Sequence, residues 1–89
     1  MGRWALEFLP QAEDDFAKLD HAARGRVINK LDWFVANFDS VIPIPLAGEY
    51  RGFFKLRIGD IRIFYKITRD RNIIVICYID WRDKAYKKT

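Results

Sequence analysis

The residues able to do chemistry crowd into one stretch. From Phe53 to Lys66 the chain reads FFKLRIGDIRIFYK, two alternating runs parted by Gly59-Asp60. A two-residue connection with glycine first predicts a β-hairpin closed by a type II′ turn. Counting outward from the turn pairs Ile58 with Ile61, Arg57 with Arg62, Leu56 with Ile63, Lys55 with Phe64, Phe54 with Tyr65 and Phe53 with Lys66. Side chains alternate between the two faces of a strand. One face then receives Phe54, Leu56, Ile58, Ile61, Ile63 and Tyr65 and is apolar. The other receives Phe53, Lys55, Arg57, Arg62, Phe64 and Lys66, which is four cations, two rings and no acid. Like charges set opposite each other, as Arg57 and Arg62 are, destabilise a strand pair. Cations interleaved with rings suit a nucleic-acid surface, where cations meet phosphate and rings stack on bases. The alternative is a solvated face whose cations pair with Asp70, Asp80 or Asp83.

Other chemistries are excluded by count. The 89 residues hold one His and one Cys, far apart, so neither a common zinc set nor a Ser-His-Asp arrangement can be assembled,. His21 reads as a surface or helix-end residue and Cys77 as a small core residue. Glu13, Asp14 and Asp15 read as partners of a helix dipole on a solvated face rather than a metal cluster. One cysteine precludes an internal disulfide and fits the reducing cytoplasm. No run approaches 18 apolar residues, and the N-terminus lacks the apolar core of a signal peptide, so no membrane partner is expected,.

Net charge is +4, but it is unevenly spread. Residues 1–45 carry five Lys or Arg against seven Asp or Glu, and residues 46–89 carry eleven against five. A basic half-chain points to an anionic partner, with nucleic acid the leading class, or to a merely soluble basic surface.

The elements that must position these residues follow from periodicity. Arg3 to Phe8 alternates weakly and predicts a first strand. Pro10 suits the first turn of a helix on which Ala12, Phe16 and Leu19 share a face. Asp20 is the expected N-cap of a second helix, where Val27, Ile28, Leu31, Phe34, Val35 and Phe38 keep a helical spacing. Residues 39–52, with two prolines and two glycines, predict a loop,. The hairpin follows, and then IIVICYI, residues 73–79, a continuous apolar run that predicts a central strand covered on both faces. The order β-α-α-β-β-β predicts a single α+β domain over residues 1–89, a mostly antiparallel sheet with the helical hairpin packed on one face. Beyond the last strand, Arg82 and Tyr86 share a face if residues 82–88 are helical. Trp81 fits either the core or a stacking platform, and Lys87 and Lys88 read as a solubilising tail.

Residues 46–67, LAGEYRGFFKLRIGDIRIFYKI, resemble the signature hairpin of the RelE/ParE toxin superfamily through Leu46, Gly48, Gly52, Leu56, Arg57, Gly59, Arg62 and Tyr65. The ending from Trp81 to Tyr86 resembles the H-R-x-x-x-Y ending of that superfamily, with Trp81 in the place of its frequent His and Phe53 where some members carry a further Lys. The resemblance implies a RelE-like fold and a toxin of a type II toxin–antitoxin pair. For the RelE-like branch it implies a ribosome-dependent, metal-independent endoribonuclease without a cofactor. Such an enzyme cuts mRNA in the ribosomal A site through attack of a 2′-hydroxyl on the adjacent phosphate. Lys55, Arg62, Arg82 and Tyr86 stand at positions matching the catalytic set of that branch. Arg62 and Arg82 would stabilise phosphoryl charge, Lys55 would be a candidate base, and Tyr86 would act as base or stack on a nucleotide. Phe53, Arg57, Phe64, Lys66, Trp81 and Lys84 form the expected RNA-binding set around them. For the ParE-like branch the resemblance implies a non-enzymatic inhibitor of DNA gyrase, and an inactive member that only binds its antitoxin is a third possibility. In each case the implied partner is a cognate antitoxin, small and acidic.

Overall fold

A computed structural model describes residues 3–81 of the chain. Pro10 has no N–H to lose and a preset φ, and it opens helix α1 (Pro10–Ala17),. Asp20 then starts helix α2 (His21–Ala36), its carboxylate accepting the Ala23 N–H at 2.8 Å. That satisfies one of the donors every helix start leaves free. On α2 the stripe Val27, Leu31 and Phe34 is buried, and Phe38 continues it in a 3-10 turn over Phe38–Ser40. Ile28 falls one step round the helix and is exposed, so the buried stripe is narrower than the spacing predicts.

The sheet has five strands. Strand β1 (Ala5–Phe8) runs parallel to β5 (Ile73–Trp81). β5 is antiparallel to β4 (Ile61–Thr68), and β4 to β3 (Phe54–Ile58). A two-residue strand β2 (Ile44–Pro45) finishes the order β1-β5-β4-β3-β2. The α+β class, the mostly antiparallel sheet and the helix pair on one face are as expected. Ala12, Leu19, Ala23, Val27, Leu31, Phe34 and Phe38 form one core with Ile61, Ile63, Tyr65, Ile74, Ile76 and Ile79. Tyr65 lies within it, 5.2 Å from the Phe34 ring and stacked at 5.6 Å on Phe54. Burial pushes its hydroxyl pKa up to about 12,. No helix among the described residues is long and apolar enough to cross a membrane.

Three expectations are corrected. The segment 39–52 is not all loop, because Ile44 pairs with Lys55 and makes an edge strand where proline is tolerated,. A strand of two residues, one of them proline, is too short to show a period. The run in β5 is an interior strand, between β1 and β4, as expected, but it is not covered on both faces, since Tyr78 is exposed. Phe64 pairs with Tyr78 but Tyr65 with Ile76, so Cys77 is an extra residue, a β-bulge,. Before it Ile74 and Ile76 face the helices, and after it Ile79 does. The apolar run is two alternating runs joined out of step.

The third correction concerns Asp15, which is not simply solvated. β1 ends at Phe8, and the last bond to that side of β5 runs from the Leu9 N–H to the Ile76 carbonyl. Further on, the Ile79 N–H donates to the Asp15 carboxylate at 3.1 Å, so α1 closes the edge that β1 leaves open.

Candidate nucleic-acid interface

The hairpin that carries the cations has the register its sequence dictates. Ile58 pairs with Ile61, Arg57 with Arg62, Leu56 with Ile63, Lys55 with Phe64 and Phe54 with Tyr65. Gly59 takes φ +57°, while Asp60 is not in the positive region, as a type II′ turn requires,. With Ile61, Ile63 and Tyr65 in the core, Lys55, Arg57, Arg62, Phe64 and Lys66 lie on the sheet face away from the helices. Phe53 directly precedes β3, and the Lys66 ammonium sits 4.6 Å from its ring centroid. The Arg57 Nε donates to the Gly59 carbonyl at 3.2 Å.

This face is not free of acid. Asp80 is the direct partner of Arg62 on β5, and its carboxylate meets the Arg62 guanidinium at 2.9 Å. The Arg62 side chain is 22% exposed and that of Asp80 51%. Arg62 therefore lies between a like charge on β3 and an opposite charge on β5, and its buried Nε finds no partner. Counting alternation along an unbroken β5 puts Asp80 on the wrong side, and the bulge at Cys77 brings it here. It is the one salt bridge among the described residues, and Lys55, Arg57 and Lys66 have no such partner there.

Two further rings join the face. Tyr78 packs 5.8 Å from Phe53 and 6.2 Å from Phe64, reached by the same bulge. Tyr50, on a 3-10 turn over Gly48–Tyr50, packs 5.9 Å from Phe64 and 6.3 Å from Phe53. Nothing in the local sequence points Tyr50 inward. Its place follows from the left-handed residues on either side, Gly48 at φ +68° and Gly52 at φ +95°. Across the strands the face forms rows of graded character. Arg57, Arg62 and Asp80 make a charged row at the turn end. Ile44, Lys55, Phe64 and Tyr78 make a mixed row. Lys66 and Val75, with Phe53 under the lysine, make a largely apolar one.

Trp81 does not join them. It pairs with the buried Ile61 and packs against the core on the helix side, so of the two places open to it the core is the one it takes. Cys77 is buried, as expected, but it lies outside the main core, beneath Phe53 and Tyr78. Burial pushes its thiol pKa up, partly opposed by the positive charge of Lys66. Arg82, Lys84 and Tyr86 lie outside the described residues. No cluster of three or more His, Cys, Asp or Glu among the described residues is placed to hold a metal ion.

The fold that carries this face, a five-stranded sheet with a helical hairpin on its other side, is found in proteins of known class. Residues 6–86 match the family described as the ParE toxin of type II toxin–antitoxin systems. The chain belongs to this toxin family. Its structure is similar to a chain of the RelBE2 toxin–antitoxin complex from Mycobacterium tuberculosis, with a TM-score of 0.79 and 26% identity, covering 90% of this chain and 99% of that one. The archaeal RelE–RelB complex from Pyrococcus horikoshii OT3 gives a TM-score of 0.70 at 19% identity, over 90% of this toxin and 96% of that chain. The isolated RelE toxin of E. coli gives 0.69 at 18% identity, over 96% and 97%. The last two likenesses are of fold. No curated protein matches the toxin in sequence.

Proposed function

We propose that the toxin is a ribosome-dependent endoribonuclease that cleaves mRNA in the cytoplasm and is held in check by a small acidic antitoxin. The observation that carries this reading is the open sheet face, where Lys55, Arg57, Arg62 and Lys66 surround the rings of Tyr50, Phe53, Phe64 and Tyr78. Attack of a 2′-hydroxyl on its own 3′-phosphate expels the 5′-oxygen of the next nucleotide. It leaves a 2′,3′-cyclic phosphate and, once the expelled oxygen takes a proton from water, a free 5′-hydroxyl. Negative charge grows on the phosphoryl oxygens in the transition state, where guanidinium groups act best. Arg62, with Arg82 from the tail, supplies that charge, and Lys55 or Tyr86 takes the proton from the 2′-hydroxyl. The half-exposed ring of Tyr50 holds a flanking base,. Two structures similar to this one are of RelBE2 and RelE–RelB toxin–antitoxin complexes, which supports an antitoxin partner here.

A second reading is gyrase inhibition without catalysis. The ParE name of the matching family favours it, and so do the exposed apolar side chains of Ile44, Tyr50 and Tyr78 on the same face, which suit a protein partner,. The deciding experiment incubates purified toxin with programmed ribosomes and, separately, with gyrase and relaxed plasmid. A cut in the A-site codon bearing a 2′,3′-cyclic phosphate upholds the nuclease. Intact mRNA together with blocked supercoiling overturns it in favour of the second reading.

A further inference from the structure

The apolar end of the open face holds a cavity of about 360 Å³. Its lining includes Leu9, Phe53, Lys66, Thr68, Cys77 and Tyr78. Cys77 is 4% exposed, while Leu9 and Tyr78 at the rim are each 41% exposed. Lys66 is the one charged residue of the lining. We infer that this cavity seats an apolar side chain flanked by a carboxylate, supplied by the antitoxin.

The ring geometry argues against a nucleotide base as occupant. A base needs the free face of a ring to stack on. The Phe53 face is taken by the Lys66 ammonium at 4.6 Å, and Tyr78 is tilted against Phe53 and set edge-on to Phe64. What remains is a concave apolar surface, which gains by burial of aliphatic or aromatic area of any outline. The charge argues for an acid beside that group. Lys66 stands at the cavity without a carboxylate partner among the described residues, in a half-chain with eleven Lys or Arg against five Asp or Glu,. The cavity lies at the opposite end of the face from Arg57 and Arg62. A partner anchored there would therefore cover the site from its apolar end. This inference rests on the toxin having an antitoxin and not on ribonuclease activity.

The test titrates isotope-labelled toxin with 4-phenylbutyrate, its neutral amide and adenosine monophosphate, reading backbone amide shifts by NMR. The carboxylate is expected to move the amides of Thr68, Cys77 and Tyr78 and to leave Ile58 and Ile61 at the turn unmoved. The neutral amide is expected to bind roughly threefold more weakly, the worth of a partly exposed ion pair. Lys66→Gln should erase that preference while the apolar contact persists, and Thr68→Trp should fill the cavity and abolish the shifts. Shifts of the same amides by the nucleotide at lower concentration than by the carboxylate would overturn the inference and make the cavity a base seat. The absence of shifts at these residues with either aromatic acid or amide would also overturn it. Neither result depends on whether the toxin cuts mRNA, so loss of the nuclease reading leaves this test standing.

Discussion

At the scale of single residues, Arg62 carries the sharpest conflict of charges. Arg57 faces it from one strand and Asp80 from the other. Removing Asp80 leaves two cations face to face, whereas removing Arg62 deletes the attraction and the repulsion together. Asp80→Ala is therefore expected to lower Tm by about 5 °C, the equivalent of about 1 kcal/mol in a domain of this size. Arg62→Ala should shift Tm less than Asp80→Ala while abolishing growth inhibition on expression. Thermal melts and a plating assay on both variants check this. Tyr65 gives a second expectation, in alkali. The residue is 1% exposed, and burial pushes its hydroxyl pKa up to about 12, above the ordinary value near 10,. Below pH 10 both folded and unfolded chains keep the proton, and the stability is fully present. Between pH 10 and 12 only the unfolded chain releases it, so stability falls by up to about 1.4 kcal/mol per pH unit as pH rises. Urea midpoints from pH 8 to 11 should fall more steeply for the native toxin than for Tyr65→Phe.

At the scale of elements, the hairpin was readable because its turn is short and its glycine comes first. Gly59 needs φ +57°, and a Cβ there would also stand 3.2 Å from the Arg26 guanidinium. Gly59→Val is expected to cost about 2 kcal/mol through backbone strain alone, although the position touches no ligand. Circular dichroism melts decide it, and an unchanged Tm would mean that the turn is built differently. The helices were readable for the same reason, since Pro10 and Asp20 mark their starts by local chemistry. β2 was not, because its identity lies in its partner Lys55 rather than in its own two residues. The bulge in β5 was not either, because an apolar residue at Cys77 hides the change of step. Of the candidate site, the face of the hairpin was legible. Of its borders, Asp80 was legible only as one of three possible carboxylate partners, and Tyr50 and Tyr78 were not legible, because they arrive through a turn and a bulge that depend on tertiary contacts.

At the scale of the whole molecule, charge and apolar area are segregated. The helix hairpin and one sheet face are spent on the core, and four cations of the basic half, Lys55, Arg57, Arg62 and Lys66, lie on the other face. A polyanion bound there releases counterions, so cleavage at the ribosome is expected to fall steeply between low and moderate salt. An antitoxin anchored by apolar contacts should lose far less affinity over the same range. Because the proposed chemistry runs on side-chain cations alone, toxin stripped with EDTA and returned to magnesium buffer should cleave as before. Cleavage that requires zinc or manganese to be added back would count against it.

Cys77 bears on the length of the chain rather than its composition. It works as a frame shift within a strand: one inserted residue changes which half of the following sequence is read as interior. Replacing it by Ala or Val leaves the frame intact, and such variants should fold. Drawing it into the regular ladder would turn Tyr78 and Asp80 toward the helices and Ile79 and Trp81 toward water, burying a carboxylate in place of an isoleucine. Deleting it instead sets Tyr78 directly after Ile76, opposite the adjacent residues Phe64 and Tyr65, and keeps both faces as they are, so the shortened chain is expected to fold with a cooperative melt. This strand can therefore change residue type at that position, or lose the residue outright, without exchanging its two faces.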